Sequence, residues 1–264
     1  MDGCPALSVV IPARNESSRL PQCLNRLASY QRLHSDPLEV IVVDDHSSDE
    51  TRAIACLATR RLQVRVIAVP ASRRGPGAAM RTGLIEARAP EILLCDADGP
   101  VPFEEIQTLR QALAGGADLA AGSRLVGDLA RPPRPLIRRV LARGFRTLVG
   151  VLSPTPVRDT QCGFKLMTRE LAQKVGPTLQ IDGFVFHVEL LVRASRLGFR
   201  VVEVGVPWRD VEGSSIHPIR DSLRMAFSLL KLRRELDERR KSADDASQPA
   251  SPTSIASVRS RRSL

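Results

Sequence analysis

The 264-residue chain is 43% hydrophobic and carries a formal net charge of +10, which excludes wholesale disorder and leaves room for one large domain or two small ones. The positive field favours acidic partners, whether nucleic acid, anionic lipid or phosphorylated small molecules. Aromatic residues amount to only 3%, with a single Trp and a single Tyr, so base stacking is poorly served, no nucleic-acid-binding signature is present, and nucleic acid is not expected as a partner.

Four short apolar runs mark the first hundred residues. Leu7 to Ile11, Glu39 to Val43, Val64 to Val69 and Glu91 to Cys95 have the near-continuous apolar character of strands covered on both faces. Leu20, Leu24 and Leu27 recur at helical spacing, and Ser48 with Thr51 predicts a helix start after an Asp-rich turn. This β-α-β-α rhythm predicts an open α/β sheet with ligands at the carboxyl ends of its strands. Past Gly122 the texture changes. Arg131 to Arg146 is rich in Pro and Arg and then helical, Asp159 to Met167 is polar, and Gly198-Phe199-Arg200 leads into a strand from Val201 to Val206. Pro218 to about Arg240 predicts an amphipathic helix with Ile219, Leu223, Phe227 and Leu230 on one side and arginines elsewhere. The expected organisation is a domain over residues 1–217, a basic amphipathic helix over 218–241 and a disordered tail over 242–264.

The five cysteines, Cys4, Cys23, Cys56, Cys95 and Cys162, are odd in number and too far apart for a metal knuckle, and read as free thiols in a reducing compartment. Met1 to Leu7 does not read as a signal peptide, and no apolar run approaches the ~20 residues that span a bilayer. A cytoplasmic place is expected, and the helix from Pro218 either lies on the cytoplasmic face of a membrane with its arginines toward anionic head groups or packs on the domain.

Polar residues gather where the strands end. The first strand runs into Pro12-Ala13-Arg14-Asn15-Glu16, the second into Asp44-Asp45, and the fourth into Asp96-Ala97-Asp98-Gly99. Two carboxylates one residue apart can both turn toward a cation if the chain bends, and Gly99 and Pro100 permit the bend. Oxygen ligands of this kind suit Mg2+ or Mn2+ bridging to a nucleotide diphosphate. The competing reading is a helix-capping Asp ahead of Phe103-Glu104-Glu105.

With Val10 to Glu16, Val42 to Thr51 and Asp96 to Gly99 there come Gly122-Ser123-Arg124, Asp159-Thr160-Gln161-Cys162-Gly163-Phe164-Lys165, Phe186-His187-Val188-Glu189 and Val204-Gly205-Val206-Pro207-Trp208. In this order, over about residues 7 to 215, the sequence resembles the family 2 glycosyltransferases, and within them the polyprenyl- and dolichyl-phosphate hexosyltransferases, glucosyl type more than mannosyl. The resemblance implies a GT-A fold, a Rossmann-like and mostly parallel α/β sheet flanked by helices. It also implies metal-dependent, inverting transfer of a hexose from a nucleotide-diphospho-sugar, UDP-glucose or GDP-mannose, to a lipid phosphate. It assigns Pro12, Ala13, Arg14, Glu16 and Asp45 to the nucleotide, Asp96 and Asp98 with Ala97 to ribose and metal, and Arg124 to the acceptor phosphate. Thr160, Gln161 and Lys165 fall to the acceptor side. If the acceptor is instead a hydroxyl, a general base is needed, and Asp159 is the candidate.

Arg73-Arg74-Gly75-Pro76-Gly77, followed by Arg81, reads either as a phosphate-binding turn, with Arg74 on the donor, or as a solvated turn. Pro76 removes one backbone donor from such a cradle. Pro100, His187 and Ser215 depart from the family pattern, the last leaving no lysine to close over the diphosphate; Lys165, Arg209 and Arg220 are the candidate replacements. A nucleotidyltransferase or a dinucleotide-binding oxidoreductase would need a glycine-rich loop after the first strand, where Pro-Ala-Arg-Asn-Glu stands. A non-catalytic basic binding protein for anionic lipid would leave the acidic strand ends unexplained.

Overall fold

The computed structural model describes residues 4–60, 62–126, 136–209 and 218–247. Strand β1 (Leu7–Ala13) is followed by α1 (Leu20–His34), β2 (Leu38–Asp44), α2 (Thr51–Leu57), β3 (Val64–Ala68), α3 (Pro76–Glu86) and β4 (Glu91–Leu94). Then come α4 (Glu105–Ala114), β5 (Leu119–Ser123), α5 (Leu136–Leu152), β6 (Lys165–Thr168), α6 (Arg169–Val175), α7 (Phe186–Arg196), β7 (Val201–Gly205) and α8 (Pro218–Ser247). The seven strands form one sheet in the order β3-β2-β1-β4-β6-β5-β7. The first four are parallel, and β6 runs antiparallel to both β4 and β5.

Both faces of the sheet are covered, which is why its strands read as unbroken apolar runs. Val9 and Ile11 enter the layer containing Leu24, Leu27, Ile106 and Leu109 of α1 and α4. Val10 and Ile41 face the opposite layer, with Met80 and Leu84 of α3, Leu171 of α6 and Leu190 of α7. Gly83 lets α3 lie directly on β1, because a Cβ there would collide with the Val10 side chain. A third cluster joins Val149 of α5, Val188 and Val192 of α7 and Leu229, Leu232 and Leu236 of α8.

The register positions the site. Ala13 pairs with Asp44, and Val10 with Leu94, so the acidic residues after β2 and β4 emerge at one edge of the sheet beside the loop that follows β1. Leu94 also pairs with Lys165, which sets the start of β6 beside the same edge.

Two expectations are corrected. Helix α2 starts at Thr51, but the Asp49 carboxylate, and not Ser48, accepts from the Thr51 N–H at 3.0 Å and hydroxyl at 2.5 Å. Helix α8 continues to Ser247, so residues 242–247 are helical rather than tail, and 248–264 lie outside the described residues. Its packed side is Leu229, Leu232 and Leu236, whereas Leu223, Phe227 and Leu230 are exposed; the Ile219 side chain lies outside the described residues. The antiparallel strand β6 lies at the end of the polar segment 159–167, where four residues beginning with a lysine carry no long apolar run. Among the described residues no helix is long and apolar enough to cross a membrane, and all five thiols are free.

Candidate active site

The loop after β1 is pinned to the loop after β2. Asn15 adopts φ 53°, donates from its N–H to Ser47 Oγ at 3.1 Å and accepts from the Ser48 N–H at 2.9 Å. The Glu16 N–H donates to Thr51 Oγ1 at 2.8 Å, and the Ser17 N–H to Asp49 at 3.2 Å. A rigid floor results, with Ala13 buried, Pro12 half-buried and Arg14 open to solvent. Asp45 is buried beside it. Its carboxylate accepts from the Gly75 N–H at 2.9 Å and lies 3.2 Å from His46 Nδ1 and 3.6 Å from Arg14 Nη1. Those contacts orient the group and leave acceptor capacity for a further N–H.

Asp96 and Asp98 sit on the turn after β4. Gly99, at φ 55°, makes the bend, and the turn is braced from two sides. Arg26 of α1 donates to the Gly99 carbonyl at 2.5 Å and the Val101 carbonyl at 3.4 Å, while the Arg209 N–H donates to the Pro100 carbonyl at 2.9 Å. Neither Asp caps α4, whose N-cap is Glu104 with no side-chain cap bond. Burial and the Asp98 charge push the Asp96 carboxyl up to about 6. Burial also raises Asp98 and Glu16, although the Arg19 guanidinium draws both back. Arg19 pairs with Glu16 at 2.6 Å.

Asp98 Oδ1 is buried and has no hydrogen-bond partner. Clustered carboxylates held above their ordinary range, one with an orphaned oxygen, are what a hard divalent cation satisfies. Among the described residues no group of three or more His, Cys, Asp or Glu could hold a metal alone. The donor set therefore fits Mg2+ or Mn2+ carried with a diphosphate, in which phosphate oxygens and water complete the shell.

The third wall is the segment from Asp159 to Gly163. Asp159 accepts from the Arg124 N–H at 2.9 Å, from Nε at 2.7 Å and from Nη2 at 2.7 Å. Burial pushes the Asp159 carboxyl up, but these bonds and the Arg124 charge outweigh it and hold it below the usual range. So engaged, Asp159 is an orienter of Arg124 and a poor base, which corrects the base role considered from sequence. Arg124 also stacks on Trp208, 4.7 Å from the ring centre. Gly163 packs against Asp96: a Cβ there would lie 2.5 Å from Asp96 Cγ and Oδ1 and closer still to Oδ2.

Lys165 is fully buried beneath this wall. Its Nζ donates to the Thr160 carbonyl at 3.2 Å and to the Cys162 carbonyl, and meets His187 Nδ1 at 3.4 Å. Direct contact with an acceptor is thereby replaced by an internal role: the ammonium fixes the loop from below. Burial, then the Lys165 and Arg124 charges, keep His187 neutral. Thr160 is buried, and Gln161 Nε2 is buried without a partner.

The basic glycine-rich turn is committed elsewhere. Arg73 Nε donates to Asp182 at 2.8 Å, and the Gly77 N–H donates to the Asp182 carbonyl at 2.8 Å. Glu189, fully buried on α7, anchors that partner segment by accepting from the Gln180 and Ile181 N–H groups at 3.0 and 2.8 Å. Gly75 serves Asp45, and Arg74 is exposed with no hydrogen bond or ion pair among the described residues. The stretch thus braces Asp45 through Gly75, with Arg73 and the Gly77 N–H engaged by Asp182. Arg19, Gly163 and Glu189 join the site's frame without having been assigned roles from sequence; the Glu16-x-x-Arg19 spacing was the legible sign of the first.

An α/β sheet that gathers Glu16, Asp45, Asp96 and Asp98 at one carboxyl edge, opposite an arginine-lined wall, defines a nucleotide-diphospho-sugar transferase of GT-A fold. Residues 8–176 match the family described as Glycosyl transferase family 2, and the chain belongs to that family. It is 38% identical over 242 residues to the dolichyl-phosphate beta-glucosyltransferase of Homo sapiens, covering 86% of this chain and 74% of that protein. The Saccharomyces cerevisiae protein of the same name is 34% identical over 247 residues, with 86% and 74% covered. Among solved structures, glucosyl-3-phosphoglycerate synthase from Mycobacterium tuberculosis in complex with Mn2+ and uridine-diphosphate-glucose superimposes with a TM-score of 0.64. It shares 22% identity and covers 87% of this chain and 79% of its own, a likeness of fold.

Proposed function

We propose that this chain transfers glucose from UDP-glucose to a polyprenyl or dolichyl phosphate, with Mg2+ or Mn2+, and inverts the anomeric configuration. The carrying observation is the orphaned, buried Asp98 Oδ1 on a turn whose two carboxylates stand above their ordinary range. The names of the relatives, dolichyl-phosphate beta-glucosyltransferases at 38% and 34% identity, support the sugar and the acceptor.

In this reading Asp45 accepts an N–H of the base, and Ala13 and Pro12 pack against it. Asp96 and Asp98 would hold the divalent cation, which when bound would supply positive charge against the leaving diphosphate. Arg124, fixed by Asp159 and Trp208, faces the incoming phosphate. A phosphate monoester has a second pKa near ~6 and is mostly dianionic at neutral pH, so it attacks without a general base. That agrees with a site whose nearest candidate base, Asp159, is spent on an arginine. Thr160 and Gln161 border the sugar and acceptor, and the Gln161 amide has a donor to spare.

The lipid end of the acceptor accords with α8. Leu223, Phe227 and Leu230 recur along its outer side, 58%, 71% and 46% exposed, with Arg224, Lys231 and Arg234 exposed beside them. Such a row suits peripheral contact with an anionic bilayer. Calorimetry with UDP and GDP in the presence of Mn2+ tests the site: UDP binding that Asp98→Ala abolishes supports the reading. Binding of neither nucleotide, or binding indifferent to Asp98→Ala, overturns it.

A further inference from the structure

The lysine that the family resemblance implies over the diphosphate is missing from the sequence, where Ser215 stands, and three cations are candidates for its work. Lys165 is eliminated, because its ammonium is wholly buried and engaged by two carbonyls and His187. The Arg220 side chain lies outside the described residues. Arg209 has what the role requires. Its N–H donates to the Pro100 carbonyl at 2.9 Å, which ties its backbone to the metal turn. Only Gly99 separates Pro100 from Asp98, two steps or at most about 7.6 Å of Cα path.

The segment leading to Arg209 is fixed along its length. The Val206 N–H donates to the Ser123 carbonyl at 3.0 Å, and Trp208 stacks on Arg124 at 4.7 Å. Residues 206–209 thus form a strap from the arginine wall to the acidic turn, crossing between the two sides of the site. At its end the Arg209 side chain is exposed and makes no hydrogen bond or ion pair with any described residue. By contrast Arg14, Arg19, Arg26, Arg73 and Arg124 at this edge contact protein groups, while Arg74, also unpaired among the described residues, stands on the turn after β3 and not on the acidic turn. A residue whose backbone is tied to the carboxylate turn, and whose exposed guanidinium pairs with no described residue, is suited to bidentate hydrogen bonding with a phosphate.

We propose that Arg209 is a phosphate-binding residue of this site, taking the place of the absent lysine and holding a phosphate group over the Asp96–Asp98 turn. This rests on the transferase reading above. The phosphate belongs either to the donor diphosphate or to the acceptor monoester, and the chemistry of recognition is the same for both.

The test uses the full chain as Arg209→Ala and Arg209→Lys, with Mn2+-dependent UDP binding by calorimetry and initial rates against polyprenyl phosphate. An exposed side chain leaves the thermal midpoint unchanged, so misfolding is separable. Loss of a charge-assisted pair predicts about a tenfold or greater effect in Arg209→Ala, partly restored in Arg209→Lys. A weaker UDP affinity assigns the donor diphosphate; a raised KM for polyprenyl phosphate with UDP affinity intact assigns the acceptor. If the parent binds UDP and both quantities are unchanged in Arg209→Ala, the proposal is overturned while the transferase reading stands. If the parent itself binds no UDP, both fall together.

Discussion

Gly163→Ala separates the chemistry of the site from its stability. The Gly163 backbone lies outside the left-handed region, so alanine meets no strain in φ; what it meets is Asp96. The added Cβ would stand 2.5 Å from Asp96 Cγ and Oδ1, where an ordinary carbon–oxygen contact is about 3.3 Å. The carboxylate must therefore retreat by roughly 1 Å, and a misplacement of that size costs about a hundredfold in rate. At about 1.4 kcal/mol per decade this is near 3 kcal/mol of lost transition-state stabilisation. The obstructing atoms end a short side chain beside solvent, so the fold itself gives way by less, about 1 kcal/mol. The assay pairs a chemical-denaturation curve with Mn2+-dependent UDP calorimetry and single-turnover transfer. A variant that folds normally but binds metal–nucleotide and transfers sugar as the parent does would refute the placement of Asp96 in the metal site.

Four further outcomes follow. A carboxyl raised from 3.8 to about 6 contributes stability present below its unfolded pKa and lost as pH rises through the folded one, so the metal-free protein carries Asp96 at a cost at neutral pH. Asp96→Asn should then raise the metal-free stability at pH 7.5 by on the order of 1 kcal/mol, seen as a higher melting temperature, while removing Mn2+-dependent UDP binding; a lower melting temperature contradicts it. In the parent, metal–UDP affinity should fall below about pH 6, beyond the fall shown by Mn2+ and UDP in free solution, because protons compete for Asp96. Glu189→Ala leaves the Gln180 and Ile181 N–H groups without their acceptor and Arg193 with Glu235 as its carboxylate partner, and denaturant titration should register a loss of about 2 to 3 kcal/mol. Phe227→Asp should abolish flotation with anionic liposomes without altering UDP affinity; a full chain that never floats removes membrane contact by α8.

Much of this was legible in the sequence because the relevant signals are local. The four parallel strands announce themselves as apolar runs, and Asp44-Asp45 and Asp96-Ala97-Asp98 mark the ends of two of them. What escaped depends on partners distant along the chain. Asp159 looks like a base until Arg124, 35 residues before it, is seen to occupy its oxygens. Lys165 looks like an acceptor contact until the pairing of β6 with β4 turns it into the interior. In the arginine- and glycine-rich turn after β3, Asp182, 109 residues from Arg73, takes Arg73 and the Gly77 N–H, which no local pattern announces. On α8 a helical pattern has two apolar sides, and only the packing of Leu229, Leu232 and Leu236 on α5 and α7 tells which one faces inward.

The central claim is most directly tested by incubating the purified chain with UDP-glucose labelled in the sugar, polyprenyl phosphate and Mn2+, and determining the anomeric configuration of the lipid product. The account predicts glucosyl phospholipid of inverted, β configuration, absent without metal and absent in Asp98→Ala. Retention of the α configuration, or transfer that persists in Asp98→Ala, would contradict it.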